Sequence, residues 1–265
     1  MNWPAMGLGV SGPLATALVS THATQTLVRE ALALGVTVFD TGPSYGAGEA
    51  ERRLGAALKG RRSQAFVMTK VGVTDAGFGR RRRDFSSASV CFSLEASLKR
   101  LGTDWLDMVW LHGPAPEELT PALLSALEAS GAVRAIGLVG RGAAIEAGLE
   151  RYPFRAVMTP VGAHLDARQS DRLAELAARG VALYGIEAFA AAAPDQRTAR
   201  TPADLWYAAR GLLRPRPGLL SPQAALAAAL ATPGLSCLVF TTTRIANLRA
   251  NVAQARALDP EVERS

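Results

Sequence analysis

"VTVFDTGPSYGAGEAERRLGAALKGRRSQAFVMTKV" occupies residues 36–71. Two short apolar runs, 36–40 and 65–71, bracket a turn and a helical run, "AERRLGAALK" (50–59), which Gly60 closes. Neither run alternates with polar residues. Strands that read this way are buried on both faces, as in a parallel sheet. Strand, helix and strand in this order make one βαβ unit.

The unit repeats along the chain. Strands are predicted at 6–10, 36–40, 65–71, 105–112, 133–139, 155–161, 181–187 and 235–240. Helices are predicted at 25–34, 50–59, 87–101, 121–130, 143–152, 171–179, 221–231 and 245–258. Eight strands, each followed by a helix, spell an α/β fold of the (β/α)8 TIM-barrel type, with residues 1–265 as a single domain. The longest irregular stretch, about 188–204, follows the seventh strand.

Composition agrees with a packed soluble domain: 49% of residues are hydrophobic and 20% charged. No apolar run approaches the roughly 18 residues that span a bilayer. The start of the chain has no basic, apolar leader pattern, so a cytoplasmic location without membrane contact is expected. Cys91 and Cys237 sit in apolar runs, as packed thiols do, and no metal-ligand spacing occurs. The net charge of +6 comes from scattered arginine rather than a nucleic-acid-binding module, and only Lys59, Lys70 and Lys99 are lysines. "GLGVSG" (7–12) matches a dinucleotide fingerprint by letters alone. Its glycines lie inside the first strand, Pro13 follows, and no acid stands about 20 residues on, so it reads as barrel strand.

In such a barrel, chemistry gathers at the C-terminal ends of the strands. Strand two ends in Asp40, with Tyr45 just beyond; strand three ends near Lys70; strand four ends in His112. Singly, each has a plain structural explanation as turn, lid or core residue. Lys70 stands out because arginine replaces lysine almost everywhere else, and lysine is the compact cation whose proton responds to its surroundings. Together the four form a proton-transfer site. The Lys70 ammonium would favour a tyrosinate, Asp40 would hold that ammonium, and His112 would polarise a substrate carbonyl. Tyr45 would then be general acid in one direction and general base in the other.

At these residues the chain resembles the aldo-keto reductase superfamily. "GVTVFDTGPSYGAGEAERRLGAAL", "VMTKVG", "SLKRLGTDWLDMVWLHGP" and "GAVRAIGL" follow the family's order and spacing, and the resemblance runs from Met6 to about Val252. It implies NADPH-dependent carbonyl reduction, with the family tetrad on Asp40, Tyr45, Lys70 and His112. It also implies cofactor contacts at Thr242, Thr243, Arg244 and Asn251, with Arg244 suited to a 2′-phosphate. The nicotinamide end departs from the family: Val139 and Gly140 stand for Ser-Asn, Met158 or Thr159 for Gln, Ile186 for the stacking aromatic and Glu187 for the serine after it. Thr241 stands where glycine is usual.

Two runs bear on the substrate. "GRRRRD" (79–84), between strand three and its helix, reads either as a solvated loop or as a gate for an anionic substrate. "APDQRTARTP" (193–202) reads as a lid or a surface loop. The leading function is thus a monomeric NADPH-dependent reductase of a small carbonyl compound, or the reverse alcohol dehydrogenase. Its rival is a redox-neutral lyase, dehydratase, isomerase or cyclase using the same acid–base residues. A non-catalytic binding protein stands last, because it has no use for a complete tetrad.

Overall fold

The computed structural model describes residues 5–77, 80–192, 201–213 and 220–258, the side chains of 210–213 excepted. Eight parallel strands close into a barrel: β1 (Ala5–Gly9), β2 (Val38–Asp40), β3 (Phe66–Val71), β4 (Met108–His112), β5 (Ile136–Val139), β6 (Ala156–Pro160), β7 (Ala182–Ile186) and β8 (Leu235–Phe240). They neighbour one another in chain order, and β8 pairs with β1 to shut the ring. The architecture is the (β/α)8 barrel that the repeated βαβ unit demands. Two glycines of the apparent fingerprint are strand residues, Gly7 and Gly9 of β1, paired with Val38 and Asp40, while Gly12 opens a short 3-10 turn, Gly12–Ala15.

Alternation along each strand sorts its side chains. Val67 and Val71 point outward into the core shared with the helices, while Met68 belongs to an inner cluster with Met108, Trp110, Met158 and Val239. Lys70 is two residues beyond Met68 on β3 and so shares its inward face. Trp110 fills the middle of the barrel and packs edge-to-face on Tyr184, with ring centroids 5.0 Å apart and planes at 70°. Gly137 makes room for it, since a Cβ there would stand 2.3 Å from the indole.

Helices α1 (Thr21–Ala33), α2 (Glu49–Leu58), α3 (Ser87–Leu101), α4 (Pro121–Ala129), α5 (Ala143–Arg151) and α6 (Ala167–Ala178) follow the first six strands. Two helices, α7 (Pro202–Leu213) and α8 (Pro222–Leu230), follow β7, and α9 (Ile245–Ala257) follows β8. Ser20, Ser86, Thr120, Asp166 and Ser221 cap helix N-termini through their side chains. The opposite, N-terminal end of the barrel is tied by Asp107, which accepts from Arg62 and Arg134 at 2.8 Å each and from the Val67 amide at 2.9 Å.

Several element bounds shift from the sequence expectation, and three differences bear on the site. β2 begins at Val38 rather than 36, because the Val36 amide bonds back to the Ala31 carbonyl at the end of α1, 2.9 Å away. The arginine run is a strand: Arg81–Arg83 pairs antiparallel with Val73–Asp75 in a hairpin laid after β3. The irregular stretch after β7 gives way to α7 from Pro202, while 193–200 of the lid candidate lie outside the described residues. Among the described residues no helix is long and apolar enough to cross a membrane.

Candidate active site

Asp40 is the last residue of β2 and Lys70 the last but one of β3, so adjacent parallel strands bring them together. The Lys70 Nζ donates to both Asp40 carboxylate oxygens at 2.6 Å and to the Thr41 carbonyl at 2.8 Å. Both side chains are nearly inaccessible to solvent. Burial works against both charges. It raises the Asp40 pKa above the usual carboxylate value despite Lys70. For Lys70, burial is outweighed by the attraction of Asp40 and then of Tyr45, so its pKa stands above the ordinary lysine value. The carboxylate and the ammonium thus meet face to face where water does not reach, each the partner that offsets the other's burial.

Tyr45 sits on a turn in which its amide bonds to the Gly42 carbonyl at 3.1 Å. Its ring lies 5.1 Å from the Lys70 Nζ, centroid to nitrogen. Gly42 separates the two side chains, and a Cβ there would meet the Tyr45 ring at 3.3 Å and the Lys70 Cδ at 3.5 Å. Gly46 carries φ of +59° and passes so close to Ala15, in the turn after β1, that an added Cβ would lie 2.0 Å from its carbonyl oxygen. This contact fixes the loop that presents Tyr45.

His112 ends β4, on the same inward face as Trp110. Its pKa is lowered to about 3, chiefly by burial and then by Lys70, Arg81 and Arg83, so the imidazole is neutral at physiological pH. Its Nδ1 is buried without a hydrogen-bond partner among the described residues. A neutral imidazole carries one N–H, which suits donation to a carbonyl oxygen rather than proton release. The arginine hairpin reaches the residue after it: Arg83 donates to the Gly113 carbonyl at 2.5 Å and pairs with Glu118.

The β5–β7 side of the mouth is apolar. Val139, Met158 and Ile186 face inward, and Thr159 is buried facing the other way. Beyond them Arg141, after β5, forms an ion pair with Glu187, after β7, passing over β6. Glu187 holds φ of +61°, a left-handed conformation uncommon for a non-glycine residue. Sequence reasoning saw Glu187 only as a missing serine. The opposite charge at Arg141 was the available signal.

On the β8 side, Thr242 Oγ1 accepts from the Arg244 amide at 3.2 Å, and Arg244 opens α9 as its N-cap residue. The Arg244 guanidinium donates to Asp204 of α7 at 2.6 Å. Thr243 is half-buried beside it, and Asn251 is half-buried midway along α9. The structure thus gathers Asp40, Tyr45, Lys70 and His112 at one end of the barrel and places Thr242, Thr243, Arg244 and Asn251 on its β8–α9 side. The Asp204 partner carried no signal in the sequence. Among the described residues no group of His, Cys, Asp or Glu is arranged to hold a metal ion.

The model of the Aldo/keto reductase family matches residues 5–262. Among characterised relatives, the chain is 37% identical over 116 residues to aldo-keto reductase YhdN of Bacillus subtilis, covering 42% of this chain and 35% of that protein. It is 36% identical over 158 residues to D-threo-aldose 1-dehydrogenase of a Pseudomonas species, covering 51% and 48%. The chain thus spans about a third to a half of the length of these relatives. The fold superposes on aldo-keto reductase AKR11C1 of Bacillus halodurans in its holo form with a TM-score of 0.76, at 24% identity, over 97% of this chain and 88% of that one.

Proposed function

The chain belongs to the aldo/keto reductase family, and on that premise we propose that it is an NADPH-dependent oxidoreductase. It reduces an aldehyde or ketone, or runs the reverse alcohol oxidation, with Tyr45 as general acid and base. The observation that carries this reading is the buried Lys70–Asp40 ion pair beside the Tyr45 ring. A cation held there stabilises negative charge on the phenol oxygen, so Tyr45 gives its proton to a developing alkoxide and takes one back in the reverse direction. Neutral His112 donates a hydrogen bond to the carbonyl oxygen and draws charge onto it as the bond polarises.

NADPH, when bound, supplies the hydride. The β8 side fits its phosphate groups: α9 is 13 residues long, its first amides and Thr243 flank Arg244, and guanidinium suits bidentate phosphate contact. Asn251 adds a polar side chain on the same helix. The β5–β7 side offers the backbone at Gly140 and the Arg141–Glu187 pair in place of amide side chains. A small carbonyl compound as substrate, a monomer and a cytoplasmic setting complete the proposal.

The test is direct. Quenching of intrinsic fluorescence by NADPH, and loss of nicotinamide absorbance over an aldehyde panel, are expected for the purified chain. Absence of binding at millimolar NADPH overturns the reductase reading. One observation favours a second reading, redox-neutral acid–base chemistry at Tyr45: Val139, Met158 and Ile186 present no hydrogen-bonding group where a carboxamide would need one. Turnover without cofactor that disappears in Tyr45→Phe would establish that alternative.

A further inference from the structure

The hairpin after β3 has two faces. Cross-strand pairs are Val73 with Arg83, Thr74 with Arg82 and Asp75 with Arg81. Side chains alternate along a strand, so Arg81 and Arg83 share one face while Arg82 takes the other. The face of Arg83 is fixed, because its guanidinium donates to the Gly113 carbonyl, one residue beyond His112. Arg81 therefore stands on the side that looks over the barrel mouth. Arg81 and Arg83 are also hairpin cations that help hold the His112 pKa down.

The arginines differ in what they already hold. Arg83 is committed to Glu118 and Gly113, and Arg82 to Asp84 at 3.2 Å on the outer face. Arg81 makes no ion pair among the described residues. The acid across from it, Asp75, is engaged in the turn, accepting from the Gly77 amide at 2.7 Å. A guanidinium exposed beside an active site and left without a carboxylate is placed for an incoming oxyanion.

We propose that Arg81 binds an anionic group, a carboxylate or phosphate monoester, on the substrate whose carbonyl meets Tyr45 and His112. This rests on the carbonyl-reductase reading and names its substrate class. Arg81 lies about 7 Å along the strand from tethered Arg83, so the anion is held at the rim while the carbonyl reaches the floor. Arg83 acts as a positioning residue, holding the hairpin against the loop that follows His112.

Matched probes test this: 4-carboxybenzaldehyde against its methyl ester, and erythrose 4-phosphate against erythrose. Each is measured by kcat/KM with NADPH and by calorimetric Kd without it. The wild type is expected to favour the charged member of at least one pair by about tenfold or more. Arg81→Gln narrows that ratio about tenfold, Arg81→Lys restores part of it, and Arg82→Gln leaves it as in the wild type. Which pair responds identifies carboxylate or phosphate. A ratio near one in the wild type, an unchanged ratio in Arg81→Gln, equal loss in Arg82→Gln, or no binding of any probe overturns the proposal. Failure of NADPH turnover alone counts against the reductase reading, and the Kd ratios still decide the role of Arg81.

Discussion

Lys70 directs its ammonium at both carboxylate oxygens of Asp40, 2.6 Å from each, with almost no solvent reaching either side chain. The pair joins β2 to β3 at the barrel mouth and holds a fixed positive charge 5.1 Å from the Tyr45 ring centroid. Structure and chemistry are coupled in that one contact. Lys70→Met leaves Asp40 buried without its partner, which costs about 3–5 kcal/mol of stability. The double variant Asp40→Asn with Lys70→Met is expected to recover much of that loss and none of the turnover. Denaturant unfolding and initial rates measured together decide it.

Tyr45→Phe removes the phenol proposed to carry the proton and leaves the ion pair and the turn backbone in place. Turnover is expected to fall about a hundred- to ten-thousandfold, with unfolding temperature and NADPH affinity little changed. A variant that keeps wild-type kcat would remove Tyr45 from the chemistry.

His112 makes stability depend on pH. Its pKa is about 3 in the folded chain against 6.5 ordinarily, so the unfolded chain binds one more proton between those values. Stability from this group is complete above about pH 6.5 and is lost as pH falls toward 3, by up to about 1.4 kcal/mol per pH unit. His112→Gln should therefore lose less stability than the wild type between pH 7 and pH 5. Equal losses in urea titrations at the two pH values would refute the assignment.

The loop carrying Tyr45 rests on Gly46. Gly46→Ala combines a left-handed φ of +59° with a Cβ 2.0 Å from the Ala15 carbonyl oxygen, and it should destabilise severely. Gly60→Ala is the control, with φ of +75° but nothing within 4 Å of the added carbon. Its expected cost is only about 1–2 kcal/mol. Thermal unfolding of the two variants separates collision from backbone strain.

Arg244 is held by Asp204 at 2.6 Å. If it serves a 2′-phosphate, Arg244→Ala should weaken NADPH binding about tenfold or more and leave NADH binding nearly unchanged. Asp204→Asn should favour NADPH further by freeing the guanidinium. Equal effects on the two cofactors would confine Arg244 to tying α7 to α9.

What the sequence determined was local and periodic. Apolar runs buried on both faces, helices closed by glycine and capped by Ser, Thr or Asp, and their eightfold recurrence are properties of short windows, and together they specify the barrel. The barrel then carries Asp40, Lys70 and His112 to one end, because each stands at a strand terminus. Tertiary structure decided what no short window contains. The run Arg80–Arg83 reads either as a solvated loop or as a gate for an anion, yet the backbone of Arg81–Arg83 is paired with Val73–Asp75 and its alternate side chains take opposite faces. Arg141 meets Glu187 across 46 residues and Arg244 meets Asp204 across 40, through loops brought together only by barrel closure. The suppressed basicity of His112 arises in the same way, since burial and neighbouring cations set it, and both exist only once the chain has folded.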